Sequence, residues 1–439
     1  WARLGGPLDL DLVHPARWPA LAVDATGAPI VTWAEESHWG RWTMPIFRWA
    51  AGAWSPLGGE EVGGGSPILF PGGLTLHQDV PLVAYHQFET GDFAASQVTL
   101  KRYNGQGVPG AFGLVSRGQS GCSLGLEAGA PLTSLAATGC FTVSGTPPAA
   151  AADLVPYDLV SPLWSDGALK RRWLRLPPGQ TLSYSDVGAF GFPTGTMLVK
   201  EFSYLRDLAD ATSRRPVETR FLVKRDDAGW EGYSYQWSAD FSDATLLDNS
   251  STDRVSWPRP GQPDGGHVQL YPTRGECGVC HVDAAGAVLG PLAAQLNRWY
   301  DYGGVHDNQL RALGHLGLFG SASTADAGRF VNPFDTTEPL VRRVRGYLAA
   351  NCAQCHRPGG ARPTRDFRWE TSQADTHLCD AGAPFGPAVE PGNPMMSVLV
   401  SKMRDRGPGN RMPPLATDVV DEAVMQVVEE WITGLTQCE

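Results

Sequence analysis

Leu340-Val-Arg-Arg-Val-Arg-Gly-Tyr-Leu-Ala-Ala350 runs directly into Asn351-Cys-Ala-Gln-Cys-His356, and this stretch decides how the C-terminal part of the chain folds. Its apolar residues recur at helical spacing, which predicts a helix that ends at the first cysteine of a C-x-x-C-H motif. Val419–Ile432, near the C-terminus, has the same spacing. Two helices on either side of the motif predict a small α-helical domain over residues 337–439.

A second C-x-x-C-H motif, Cys277-Gly-Val-Cys-His281, lies upstream. Two cysteines three residues apart on a helical turn reach both vinyl groups of one haem, and the next histidine then points at the iron. The sequence therefore predicts two covalently bound haem c groups. The predicted haem-binding residues are Cys277, Cys280 and His281 in the first motif and Cys352, Cys355 and His356 in the second. A zinc site made of the two C-x-x-C pairs is the alternative, but it gives the histidine after each pair no role.

The other four of the eight cysteines are Cys122, Cys140, Cys379 and Cys438. Haem attachment of this kind implies export to an oxidising compartment, where disulfides persist. Proximity along the chain predicts the pairs Cys122–Cys140 and Cys379–Cys438, although four cysteines allow three pairings. We expect the protein in the periplasm, outside the cell or on the surface of a bacterium.

The second iron has a candidate for its other axial ligand in Arg411-Met-Pro-Pro-Leu415. Met412 lies in a proline-rich loop just before the last predicted helix, and a thioether ligand favours reduced iron and raises its potential. Met412 is therefore the predicted distal ligand. Met395, Met396 and Met403 are its substitutes.

The other ligand of the first iron is less constrained, because no methionine lies between the two motifs. His306 and His315 follow the first motif at reachable distances, and Met197 or Lys200 could approach from a neighbouring β-domain. An open, five-coordinate iron is a further alternative. Such a site could bind oxygen or peroxide.

The remaining sequence predicts a multidomain α+β protein with N-terminal β repeats, a central β-domain and two small α-helical cytochrome c-like haem domains. The predicted regions are 1–112 (β repeats), 113–155 (disulfide loop and linker), 156–265 (β-domain), 266–336 (first haem domain) and 337–439 (second haem domain). Alternating apolar residues and glycine turns with a period of roughly 50 residues make the N-terminal repeats resemble propeller blades. Two blades do not close a propeller. We expect either that further blades lie upstream in the precursor, that these two pack against the haem domains or a neighbouring subunit, or that they form a small β-sandwich.

Composition limits the partners. The net charge of −11 and the absence of a basic stripe argue against nucleic acid. The densest basic cluster, Lys170-Arg171-Arg172 with Arg175, fits a solvated strand edge or a counter-charge for haem propionates. No apolar run reaches the length of a transmembrane segment, about 18 residues or more. Because the chain starts at Trp1, nothing follows about a signal peptide.

Residues 156–435 resemble a bacterial family of diheme c-type cytochromes typified by a Shewanella protein. The resemblance lies in Pro156-Tyr-Asp-Leu-Val-Ser-Pro-Leu-Trp-Ser-Asp-Gly-Ala-Leu-Lys-Arg-Arg172, Gly195-Thr-Met-Leu-Val-Lys-Glu-Phe-Ser-Tyr204, Val217-Glu-Thr-Arg220, Trp230-Glu-Gly-Tyr-Ser-Tyr235, Cys277-Gly-Val-Cys-His281, Leu289-Gly-Pro291, Gln295-Leu-Asn297, Asn308-Gln-Leu310, Asn351-Cys-Ala-Gln-Cys-His-Arg-Pro-Gly-Gly360 and Arg411-Met-Pro-Pro-Leu415. It implies export, two haems and electron transfer, without a known substrate. The N-terminal repeats lie outside it.

These observations lead to three functional hypotheses, of which the third is a binding module whose N-terminal repeats recognise a surface while the haems are secondary. The first is electron transfer between the two haems and redox partner proteins, with self-association through the repeats into a surface or filamentous assembly as a variant. The second is a diheme peroxidase or oxygenase with an open first haem. That enzyme would need a nearby acid–base group, for which His306 and Glu276 are the candidates.

Overall fold

A computed structural model of the chain divides into two compact units. The described residues are 17–24, 26–36, 42–50, 53–62, 69–77, 80–88, 96–102, 121–143, 148–226, 229–248, 251–258, 266–302, 306–319, 328–380, 386–407, 409–415 and 417–437. The first unit contains the described parts of residues 1–116 together with 299–318. The second contains those of residues 117–298, 319–321 and 327–439.

The described secondary structure is rich in strands, with short helices concentrated towards the C-terminus. The strands are β1 (Arg17–Val23), β2 (Pro29–Glu36), β3 (Trp42–Ala50), β4 (Ala53–Val62), β5 (Leu69–His77), β6 (Val80–Phe88), β7 (Ser96–Arg102), β8 (Phe141–Thr142), β9 (Ala149–Ala150), β10 (Val155–Tyr157), β11 (Leu169–Arg175), β12 (Met197–Leu205), β13 (Arg214–Asp226), β14 (Gly229–Trp237), β15 (Ala244–Leu246), β16 (Ser251–Ser256), β17 (Gly266–Tyr271), β18 (Trp299–Asp301) and β19 (His306–Asn308). The α-helices are α1 (Arg274–Cys277), α2 (Ala293–Leu296), α3 (Gln309–His315), α4 (Leu340–Asn351), α5 (Val398–Arg404) and α6 (Glu422–Gly434). Short 3-10 helices occur at Leu126–Ala128, Ala136–Thr138, Ala211–Ser213, Asp283–Ala285, Ala374–Thr376 and Pro394–Met396.

The first unit contains two consecutive antiparallel sheets, β1-β2-β3-β4 and β5-β6-β7. Strands therefore occur in both predicted repeats, and the turn between β1 and β2 is held by an ion pair of 2.5 Å between Arg48 and Asp24. Ile30 and Trp33 are buried, and the Trp33 ring stacks on Phe47. The β18–β19 hairpin and α3 belong to this unit as well. The packing of these sheets on other domains or on another subunit stays a prediction.

The second unit is built on a six-stranded antiparallel sheet in the order β10-β11-β12-β13-β14-β15. Strands β11 to β14 all lie within residues 156–265, the region predicted as a central β-domain. One face carries Trp173, Val199, Phe221 and Tyr235, which pack beneath the loop closed by the Cys122–Cys140 disulfide. The side chains of the opposite face border a cavity described below.

A loop between β10 and β11 links the sheet to both motif regions. The backbone N–H of Ser161 donates to Gln295 Oε1 (2.9 Å), and the Gln295 side-chain amide donates back to the Ser161 carbonyl (2.7 Å). The backbone N–H of Trp164 donates to Asn351 Oδ1 (2.7 Å), at the end of the helix that leads into the second motif. Sequence segments more than 100 residues apart are thereby fixed to one another.

The C-terminal helices form an apolar core of their own. Val344 and Leu348 of α4 are buried with Val428 and Trp431 of α6, so the two predicted helices bracket the second motif. Gly346 permits a close approach, because a Cβ there would lie 2.1 Å from the Val331 carbonyl oxygen. The last helix begins at Glu422, three residues later than predicted, because the Asp421 side chain caps it by accepting from the Val424 N–H.

The observed class is thus a mixed α+β fold with antiparallel sheets and short C-terminal helices. Across the described residues, no helix has the length and apolar character needed to cross a bilayer.

Candidate haem sites

The first motif begins on a capped helical turn. Thr273 and Glu276 form a reciprocal capping box at the start of α1. The backbone N–H groups of Cys280 and His281 both donate to the Cys277 carbonyl, at 3.3 and 3.0 Å. This turn brings both thiols and the imidazole to the wall of one cavity.

The orientation of His281 is fixed by a backbone oxygen. Its Nδ1 lies 2.7 Å from the Ala287 carbonyl oxygen, an interaction that needs a proton on Nδ1. Nε2 is then the unprotonated nitrogen and the one available to a metal. Burial lowers the pKa of His281, which favours this neutral form.

The motif cysteines differ from the others in their chemistry. Cys277, Cys280, Cys352 and Cys355 are free, whereas Cys122 and Cys140 are joined and Cys379 is also disulfide-bonded. Its predicted partner, Cys438, lies outside the described residues. Burial raises the pKa of Cys280 to about 11 and of Cys352 to about 12, so these groups are protonated thiols at neutral pH. A reactive thiolate pair of the thioredoxin kind would need the opposite shift.

The second motif continues from α4. The backbone N–H groups of Cys355 and His356 donate to the Cys352 carbonyl at 3.1 and 2.9 Å. The His356 ring lies against Phe367, 4.9 Å between centroids, and its Nδ1 is buried without a hydrogen-bond partner in the described structure. Burial, with the charges of Arg365 and Arg362, lowers the pKa of His356 to about 4. The imidazole is therefore buried and neutral, and, unlike that of His281, its Nδ1 has no backbone oxygen to fix it in the described structure.

The two motif regions meet each other. A Cβ built on Gly359, just after the second motif, would lie 3.7 Å from the Cβ of Ala284, just after the first. Cys355 is also close enough to Cys280 for its charge to raise the pKa of that thiol. The two attachment sites are therefore neighbours within one compact unit.

A cavity of about 300 Å³ lies at the first motif. This volume is at the lower end of the range for small-molecule sites, about 300–1,000 Å³. Apolar residues such as Phe202, Phe330 and Trp369 line much of it. Ala353 and Gln354, between the cysteines of the second motif, also reach it.

Several cations border the same cavity. They are Arg172, Lys200, Arg220, Arg357 and Arg368. The Arg357 side chain has neither a hydrogen bond nor an ion pair to any residue that the structure describes. An apolar cavity with two thiols, an oriented imidazole and unpaired positive charge matches a porphyrin that carries two carboxylates. The residues present therefore fit haem at the first motif.

The predicted distal ligands fall into different environments. Met412 is half-buried in the loop before α6, and the neighbouring Pro413 and Leu415 border the cavity. Met403 is buried in the C-terminal core, whereas the side chains of Met395 and Met396 are 85% and 68% exposed. Met197 is buried on the sheet face away from the cavity.

For the histidine candidates for the first iron, the structure describes only the backbone. The backbones of His306 and His315 belong to β19 and α3, but their side chains lie outside the described residues. Glu276 borders the cavity, and its Oε2 accepts from the Thr273 N–H at 2.8 Å in the capping box. No group of three or more His, Cys, Asp or Glu side chains suited to a metal ion occurs in the described ranges.

Some residues that shape the first site could not be predicted from the sequence. The Ala287 carbonyl acts through the backbone, and Arg357 lies in the Asn351–Gly360 stretch that carries the resemblance, but no role was predicted for its side chain. Of the predicted basic cluster, Arg172 borders the cavity, whereas Arg171 pairs with Glu201 and Arg175 with Asp153. A loop next to a motif was the available hint for Arg357.

Comparison with known proteins adds little. No family model and no curated protein matches the chain. One solved structure, a mutant of the Synechocystis apocarotenoid oxygenase, has 9% sequence identity and a TM-score of 0.16. The alignment covers 60% of this chain and 58% of that chain, so this chain spans less than two thirds of its length.

Proposed function

We propose that this chain is an exported diheme c-type cytochrome that passes electrons between two covalently attached haems and redox partner proteins. The observation that carries the proposal is the proximity of the two motif regions, where a Cβ on Gly359 would lie 3.7 Å from the Cβ of Ala284. Haem iron, when bound, accepts and releases one electron. The chain's own part is to hold two such groups next to each other and to exclude bulk water from them.

Residues of this chain have separate roles in that arrangement. Cys277, Cys280, Cys352 and Cys355 would hold the two groups through thioether bonds, and His281 and His356 would ligate the irons. Ala287 orients the first imidazole. The unpaired Arg357 would neutralise a propionate.

Export and partner choice follow from charge and cysteine use. The Cys122–Cys140 disulfide and the disulfide-bonded Cys379 support an oxidising compartment. The net charge of −11 favours basic redox partners and predicts weaker encounter at high salt. The two N-terminal sheets are the candidate surface for self-association.

The proposal is tested by the kinetics of electron sharing. A pulse of fewer electrons than haems is delivered to the full chain, and redistribution between the two haems is followed optically. We expect a rate that does not change with protein concentration, because the transfer is intramolecular. An equimolar mixture of the variants Cys277→Ala/Cys280→Ala and Cys352→Ala/Cys355→Ala is the matched control, in which redistribution must depend on concentration. A concentration-dependent rate in the wild-type chain would contradict the proposal.

The alternative is a diheme peroxidase or oxygenase with an open first haem. That chemistry needs a free acid–base group, and the Glu276 carboxylate is already engaged by Thr273. Binding of carbon monoxide or peroxide by one haem of the wild-type protein would favour the enzyme. Two six-coordinate low-spin haems would favour the electron carrier.

A further inference from the structure

Three cations lie side by side on the cavity face of the six-stranded sheet. Arg172 of β11 pairs in register with Lys200 of β12, which pairs in register with Arg220 of β13. Directly opposed residues on neighbouring strands have their Cβ atoms about 4.5–5.5 Å apart. All three residues border the cavity at the first motif.

Each of the two arginines forms an ion pair with a carboxylate, whereas Lys200 does not. Arg172 donates to Asp158 at 2.7 Å, and Arg220 binds both oxygens of Glu218 at 2.6 and 2.8 Å. Within the described structure the Lys200 side chain has no carboxylate partner, and its Nζ lies over the Phe202 ring, 4.7 Å from the ring centroid. A charged ammonium at this position would lie between two guanidinium groups without a carboxylate of its own.

This environment favours a neutral amine. Burial, followed by the charges of Arg172, Lys170 and Arg220, holds the pKa of Lys200 well below its ordinary value. A neutral amine has a lone pair that it can donate to a metal ion. Lysine can supply such an amine because its pKa falls readily on burial. The geometry of the row, and not the titration, brings that nitrogen to the cavity wall.

Lys200 and His281 face the same cavity. The Ala287 carbonyl engages His281 Nδ1 and leaves Nε2 for the iron. Met197, three residues earlier on the same strand, is on the opposite face, and its sulfur lies 3.7 Å from an Arg175 nitrogen. Strand β12 therefore places the amine of Lys200 at the cavity and the thioether of Met197 on the opposite face of the sheet.

We propose that Lys200 Nζ would, together with His281, ligate the iron of the haem held by Cys277 and Cys280. This inference rests on the proposed function, because it requires the first haem. A nitrogen ligand lacks the preference of a thioether for reduced iron. With Met412 as a ligand of the second iron, the first haem would have the lower reduction potential. The second haem would then be the one that is reduced first.

The test compares three variants of the full chain after haem loading. Lys200→Ala removes the ligand, Lys200→Met replaces it with a thioether, and Lys224→Ala is the control. Lys224 lies on the neighbouring strand β13, and its Nζ donates to the Phe192 carbonyl at 2.9 Å. Haem count by intact mass, ferric spin state by electron paramagnetic resonance and carbon monoxide binding to the reduced protein are the readouts.

We expect Lys200→Ala to keep both haems while one of the two becomes high-spin and binds carbon monoxide. Lys200→Met should stay low-spin with a higher potential at one haem, and Lys224→Ala should match wild type. Two attached haems with unchanged spin state and potentials in both Lys200 variants would overturn the ligand assignment. If Lys200→Ala loses the first haem, Lys200→Met decides, because an unchanged potential contradicts the assignment. Absence of haem from the wild-type chain would instead refute the proposed function.

Discussion

Gly232 on β14 makes room for a sulfur atom of the first motif. A Cβ at this position would lie 2.9 Å from Cys277 Sγ, closer than such atoms pack. The thiol would have to move away from the position that the capped turn gives it. Attachment of haem needs both sulfurs at defined positions. Gly232 therefore affects haem attachment although it lies far from the motif in the sequence.

We therefore expect Gly232→Ala to reduce haem occupancy at the first motif while the second motif stays loaded. The measurement is the ratio of one-haem to two-haem protein by intact mass. Gly275→Ala is the control, because a methyl group there would meet only Thr273 Oγ1, at 3.8 Å. Equal two-haem fractions in the two variants would contradict this interpretation.

At the scale of elements, the second site depends on how closely α4 approaches the chain beside it. Gly346 faces the Val331 backbone, which has no flexible end to move aside. Overpacking of this kind costs about 1–3 kcal/mol, and a backbone clash lies at the upper end.

We expect Gly346→Ala to lower the free energy of unfolding by about 2–3 kcal/mol, measured as a shift of the denaturant midpoint. Gly434→Ala in α6 is the matched control, since a methyl group there meets nothing within 4 Å. That change should be neutral or stabilise by up to about 1 kcal/mol. Similar losses in both variants would show that the close approach is not the cause.

The N-terminal cap of α6 makes stability depend on pH. Burial raises the pKa of Asp421 to about 6, against the hydrogen bond from Val424 and the charge of Lys170, which lower it. The folded chain therefore holds this proton more tightly than the unfolded chain, in which the group titrates near about 3.9. Its contribution to stability is present below about pH 4 and is lost as the pH rises through about 6.

Asp421→Asn should remove that loss and keep the cap, because the amide oxygen can still accept from Val424. We expect a weaker decline of stability between about pH 4 and 6 and a gain of about 1–2 kcal/mol at pH 7. Asp421→Ala should flatten the profile too, but at lower overall stability, because it loses the cap. A wild-type slope retained in Asp421→Asn would contradict the assignment to this carboxyl.

At the scale of the whole molecule, local sequence patterns predicted strands and helices better than they predicted which of these elements contact each other. The alternation in Met197–Tyr204 predicts β12 and places Met197 and Lys200 on opposite faces, but it does not say which face meets the cavity. The bonds between Ser161 and Gln295 join positions 134 residues apart, and no local pattern encodes such a pair. The motif spacing predicted which thiols and imidazoles come together. The Ala287 carbonyl and the Gly359–Ala284 approach depend on the backbone path, which spacing does not fix.

The account as a whole depends on thioether bonds at both motifs. The full chain and the variants Cys277→Ala/Cys280→Ala and Cys352→Ala/Cys355→Ala are produced in a host that matures c-type cytochromes. Each protein is denatured, and its intact mass is measured by mass spectrometry. Cys122→Ala/Cys140→Ala is the control, because it removes the same number of cysteines from outside the motifs. The account predicts two retained haem masses in wild type and control, and one in each motif variant. A wild-type chain that retains no porphyrin mass, or a motif variant that still carries two, would contradict it.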